Sequence, residues 1–169
     1  MKQDKKKQKS GDKLAKKAAK VLATGAKPKK VADHHDAELV LKLYDLRREG
    51  VMRASRDAIG KFFPKSYEEL VALTKPDHPH NAAWRQVSSY FEMAYSFARH
   101  GVMQPDFLAE NSGEGLYLYA KVEPYLAQLR ADTSPYAFAN AQWLVENSPA
   151  AALRMTVFRK RIAKIVAGS

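Results

Sequence analysis

Four histidines stand in two acid-flanked pairs, Asp33-His34-His35-Asp36 and Asp77-His78-Pro79-His80. Imidazole and carboxylate together suit borderline divalent metals. Neither segment contains His-Glu-x-x-His or two histidines four apart on one helix face. His34, His35, His78 and His80 therefore make a centre only if the two segments meet. The simpler reading gives Asp33 or Asp36 the N-terminus of a helix and makes His78-Pro79-His80 a solvated turn. No metal and no cofactor are expected.

Carboxylates offer acid–base chemistry. Glu92 lies in the most aromatic stretch, beside Phe91 and near Tyr95. A buried carboxyl with a raised pKa is a candidate acid or base. No second carboxylate has helical spacing on that face, so the expected role is an edge position bonded to an arginine or tyrosine. Glu123, before Pro124, is expected to pair with a core arginine. Ser88-Ser89 and Ser112-Gly113-Glu114-Gly115 match no nucleophile elbow, Walker loop or dinucleotide fingerprint. The glycine pair reads as a hinge or helix break. Cysteine is absent, which excludes disulfides, thiol nucleophiles and thiolate-bound metals. We expect no catalytic residue and no enzymatic activity.

Phosphate recognition is the chemistry the charge pattern favours. Twelve of the 29 basic residues precede position 31, opposed there only by Asp4 and Asp12. That segment carries +10 of the +11 net charge, and residues 31–169 are close to neutral. A lysine arm of this kind attracts polyanions, RNA or DNA, without reading sequence. The cations expected to meet phosphate are Lys5, Lys6, Lys7, Lys9, Lys13, Lys16, Lys17, Lys20, Lys27, Lys29 and Lys30, joined by Arg159, Lys160 and Arg161 near the C-terminus. Arg154 and Lys164 extend that second group. The aromatic residues fall on apolar stripes, which places them in the core rather than on a base-stacking surface. The competing expectation is a protein-interaction module or homodimer built on Ile162, Ile165 and Val166. In that reading the arm only solubilises the chain or touches an anionic membrane through Leu14, Ala18, Val21 and Leu22.

These groups need a scaffold, and the scaffold reads as helical. β-Branched residues are sparse and no alternating run persists. We expect an all-α, single-domain bundle of about six or seven helices over residues 31–169. The segment 1–30 is expected to be disordered, since it cannot bury enough apolar surface to offset its ordering entropy. The spacing predicts helices over about 36–48, 54–63 and 66–74, the last opened by Ser66 with Glu69 reaching back in a capping box. The longest apolar stripe, from Ala83 to Ala98, predicts a central helix over 81–100 ended at Gly101. Pro105 is placed to start a short helix ending near Glu110. A longer helix to Arg130 is expected to be kinked at Pro124 or to have its true start there. Ser134-Pro135 and Ser148-Pro149 are expected to open the last two helices.

The order of elements resembles a family of small all-helical bacterial proteins of unknown function, over about residues 39–155. The resemblance is carried by Leu43-Tyr44-Asp45-Leu46-Arg47 and Tyr90-Phe91-Glu92-Met93-Ala94. It continues through Arg99-His100-Gly101-Val102-Met103, Glu123-Pro124-Tyr125 with Arg130, and the stretch from Phe138 to Leu144. It implies a helical fold and transfers no activity. The lysine arm lies outside it.

No run of 18 or more apolar residues exists, so no transmembrane segment is expected. The N-terminus lacks the apolar core of a signal peptide and the arginine bias of a presequence. The expected location is the cytoplasm.

Overall fold

The computed structural model describes residues 28–168. Among these residues the chain forms nine α-helices and one 3₁₀ turn, and no strand. The helices are α1 (His34–Arg48), α2 (Gly50–Gly60), α3 (Tyr67–Leu73), α4 (Asn81–Arg99), α5 (Pro105–Asn111), α6 (Gly113–Val122), α7 (Leu126–Asp132), α8 (Ala139–Asn147) and α9 (Pro149–Gly168). The 3₁₀ turn, Glu123–Tyr125, joins α6 to α7. The fold is the expected all-α bundle, cut into more and shorter pieces than six or seven.

The central helix is α4. Trp84, Val87, Phe91, Ala94, Tyr95 and Ala98 keep 3–4 spacing and are all buried. Helices α2 and α8 pack on it, and α9 packs on α6. Each fully buried aromatic contributes about 2–3 kcal/mol by removal from water. Helix α4 ends in a Schellman motif. Gly101 takes φ 73°, its N–H donates to Ala98 O, and Val102 N–H donates to Phe97 O at 2.8 Å.

Helix α6 lies unusually close to α4. A Cβ at Gly115 would overlap the Phe91 ring and the Tyr95 hydroxyl. Tyr95 donates that hydroxyl to Ser112 O at 2.7 Å. The glycine pair therefore permits close packing at the start of α6, and the break falls at Ser112.

Several boundaries differ from the expected ones. Helix α2 starts at Gly50, because the single extended residue Glu49 (ψ 147°) turns the chain and its carbonyl accepts from Arg53 N. It stops at Gly60 rather than Phe63, where Lys121 takes the terminal carbonyls. Pro124 divides the expected long helix into α6, the 3₁₀ turn and α7. Ser134-Pro135 opens a turn, not a helix. Phe138 adopts φ 51° and packs its ring against Trp84 and Tyr119, with centroids 5.8 and 6.1 Å away. A left-handed residue cannot sit inside a right-handed helix, so α8 begins only at Ala139. Ser66 caps α3 as expected, but Glu69 reaches back to Lys65 N at 2.8 Å instead of Ser66 N.

Candidate functional site: buried polar anchors and two basic flanks

The polar side chains inside the bundle are held by neighbouring helices. Glu92, on α4, accepts from Asn140 N at 3.0 Å and Ala141 N at 2.8 Å. Phe138, at the N-cap position of α8, supplies no side-chain cap, so Glu92 supplies it from another helix. Burial pushes the Glu92 carboxyl above its ordinary range. The two backbone donors and nearby Arg130 and Arg99 pull the other way. Asn140 ties the group together, accepting from Arg99 Nη1 and donating to Glu92 O. Arg130 donates Nε to Ala137 O at 3.0 Å. Arg99, Arg130 and the Asn140-Ala141 pair, from three of the stretches that carry the sequence resemblance, thus converge on Glu92. Both its oxygens are already engaged by backbone donors, which makes it an anchor of α8. An open cleft of about 800 Å³ runs beside it, walled by Trp84, Tyr136 and Phe138.

Three further helix ends are satisfied the same way. Asp106 on α5 accepts from Ala150 N and from the Ser148 hydroxyl, which itself accepts from Ala151 N at the start of α9. The Ser148 bond holds the Asp106 carboxyl below the usual carboxylate range. Arg154 donates to Glu110 O near the end of α5. Lys121, 4% exposed, donates to Ile59 O at 3.2 Å and Gly60 O at 2.8 Å, with its ammonium 4.0 Å from the Phe63 ring centroid. Burial lowers the Lys121 pKa to about 8.

Two carboxylates at the surface of the body, Glu114 and Glu123, are paired as well. Arg56 grips Glu114 with two nitrogens at 2.7 and 2.8 Å and donates to Arg47 O. Glu123 meets Arg159 at 2.6 Å, so its arginine partner is on the surface of α9 rather than in the core.

The histidine segments are structural in geometry. Asp33 caps α1 by accepting from His35 N and Asp36 N, and Asp36 answers by accepting from Asp33 N, a complete capping box. His34 and His35 lie in the first turn of α1. His78 Nδ1 accepts from His80 N at 3.1 Å, which occupies one of the two ring nitrogens a metal would use. Among the described residues no three histidine or carboxylate groups are placed to hold a metal.

Of the basic residues expected to meet phosphate, Lys5, Lys6, Lys7, Lys9, Lys13, Lys16, Lys17, Lys20 and Lys27 lie outside the described residues, as does the stretch from Leu14 to Leu22. Lys29 does not point free. It pairs with Asp33 at 2.7 Å and with fully buried Asp36 at 3.2 Å, fastening the arm to the start of α1. Lys29 holds the Asp33 carboxyl down at about 2. Lys30 is exposed. At the other end Arg159 is engaged by Glu123, whereas Lys160, Arg161 and Lys164 are exposed. Of the stripe read as a dimer surface, Ile162 packs against the core and Ile165 and Val166 are half-buried.

Sequence reasoning missed Lys121 and Asp106. Their partners lie 61 and 44 residues away, and no local pattern marks them. Among the described residues no helix is long and apolar enough to cross a membrane. No curated protein and no solved structure matches this chain. The family model described as Domain of unknown function (DUF4760) matches residues 32–148, from the residue before the α1 cap to the residue that caps α9. That span is well over half of the chain, and the protein belongs to this family.

Proposed function

We propose that this protein is a non-enzymatic helical body whose basic flanks bind nucleic acid, RNA or DNA, electrostatically and without sequence specificity. The supporting observation is the division of charge. The family-matched span 32–148 carries 12 basic and 16 acidic residues, a net −4. The segments on either side carry +15 together. Beyond Ser148 there is no acidic residue at all. A repulsive body with attractive ends favours contact through the ends, driven by counterion release.

The test is binding of the full chain to RNA and to DNA across a salt series. If about eight cations meet phosphate, log affinity falls against log salt with a slope of about −6 to −7. Salt-independent binding, or none, refutes the reading. A self-association module is the competing reading, and exposed Leu153 and Val157 on α9 favour it. Sedimentation showing a salt-insensitive dimer, with no nucleic acid bound, would establish that alternative.

A further inference from the structure

We propose that the outer face of the C-terminal half of α9 selects unpaired nucleic acid, with Arg161 as a stacking platform and Lys160 and Lys164 as phosphate grips. This rests on the nucleic-acid reading above and narrows it to a single strand.

The Arg161 guanidinium sits over the Tyr117 ring, 5.4 Å from its centroid. Tyr117 is braced edge-on by Phe158 at 5.2 Å and by Phe63 at 6.2 Å. Lys121 reaches the same ring at 5.1 Å. The Arg161 guanidinium thus lies against a supported ring while the residue stays exposed to water. Unpaired bases stack on such planes, whereas a duplex keeps its bases inside. Lys160 and Lys164 stand one turn apart, about 6 Å along the axis, suited to successive phosphates on one strand. Val157, 58% exposed, lies between the cations and the exposed Leu153 and offers apolar contact to a sugar or base. Val157, Lys160, Arg161, Lys164 and Ile165 line a shallow depression of about 500 Å³.

Charge favours a polyanionic partner. Among the described residues Lys160, Arg161 and Lys164 are in no ion pair, and α9 carries no carboxylate to compete for them. Arg159 next to them is already neutralised by Glu123 at 2.6 Å. Two exposed apolar side chains are too few to seat the helix in a bilayer interface.

The experiment measures fluorescence anisotropy of the full chain against an oligothymidine and against a duplex with the same number of phosphates, over a salt series. The variants are K160Q/R161Q/K164Q, R161K and R159Q, each checked for an unchanged circular dichroism melt. The expected result is a preference for the single strand that falls about five- to tenfold in R161K, which keeps the charge but loses the planar fork. The triple variant should lower the salt slope by about 2. R159Q should leave both unchanged. Equal affinity for the two probes, an R161K preference equal to wild type, or tighter binding to phosphatidylserine vesicles than to the single strand overturns the inference. In those first two cases the broader nucleic-acid reading stands, because the full chain still binds. Absence of binding to either probe removes both.

Discussion

Glu92 on α4 and Lys164 on α9 illustrate two ways of placing charge in one molecule. Glu92 is held by two backbone donors and flanked by Arg99 and Arg130. Lys164 faces water with no carboxylate on its helix. The pattern extends beyond this pair. Inside the family-matched span, Asp106 and Lys121 complete helix ends across the bundle, and Arg56 and Glu114 neutralise each other. In the flanks seventeen cations face two acids, Asp4 and Asp12 in the arm. Buried charge in the body serves cohesion, because a buried ion without a partner costs several kcal/mol. In the flanks Lys29, Arg154 and Arg159 are engaged within the chain, whereas Lys30, Lys160, Arg161 and Lys164 are exposed.

That contrast breaks first at Glu92. Replacing Glu92 with alanine should destabilise the body by about 3–5 kcal/mol, since it strands two backbone donors and leaves Arg99 and Arg130 without their buried counter-charge. Urea denaturation measures it, and Glu92→Gln, which keeps one acceptor, should lose less. Gly115→Ala should cost about 2–3 kcal/mol, because the new methyl must displace Phe91 or Tyr95 in the core. Neither substitution touches the flanks, so at a temperature where each variant remains folded the salt slope of nucleic-acid binding should not change.

Lys121 gives a smaller, pH-dependent effect. Its pKa is about 8 in the folded protein and about 10.4 in an unfolded chain, so between these values the unfolded state binds more protons. Stability therefore rises with pH, by about 1–2 kcal/mol from pH 8 to 9.5. Urea midpoints across that range should show the rise, and Lys121→Met should flatten it. Asp33 is expected to have the smallest effect. Its folded pKa is depressed, so its contribution is present above about 4 and is lost as the pH falls toward 2. An acid titration of the melting temperature, compared with Asp33→Asn, detects it.

What the sequence made legible was local. The α4 stripe, the Gly101 stop, Pro105 at a first helical position and the Ser148-Pro149 start all depend on residues within one or two turns of each other. An aspartate cap on α1 belongs with them, although the local pattern leaves the choice between Asp33 and Asp36 open and the structure joins both in one capping box. The misplaced boundaries share a long-range cause. Ser134-Pro135 carries a helix-start signal, yet the pull of Phe138 into the core against Trp84 and Tyr119 imposes a left-handed residue there. Helix α2 ends where Lys121, 61 residues away, binds its carbonyls. Glu92 was visible as unusual because of its aromatic neighbours, but its role depends on Asn140 and Ala141, 48 and 49 residues downstream. The basic flanks needed no fold to be seen. Separating Arg159 from Lys160 and Arg161 did, since all three are alike in sequence and only one faces Glu123.

The central claim is that attraction to polyanions resides outside the family-matched body. The most direct measurement compares the salt dependence of oligothymidine binding by the full chain and by a chain beginning at residue 28. The account predicts that the slope falls from about −6, for eight contacts on a single strand, to about −2, for three, while the melting temperature is unchanged. An equal slope for the two chains would contradict it.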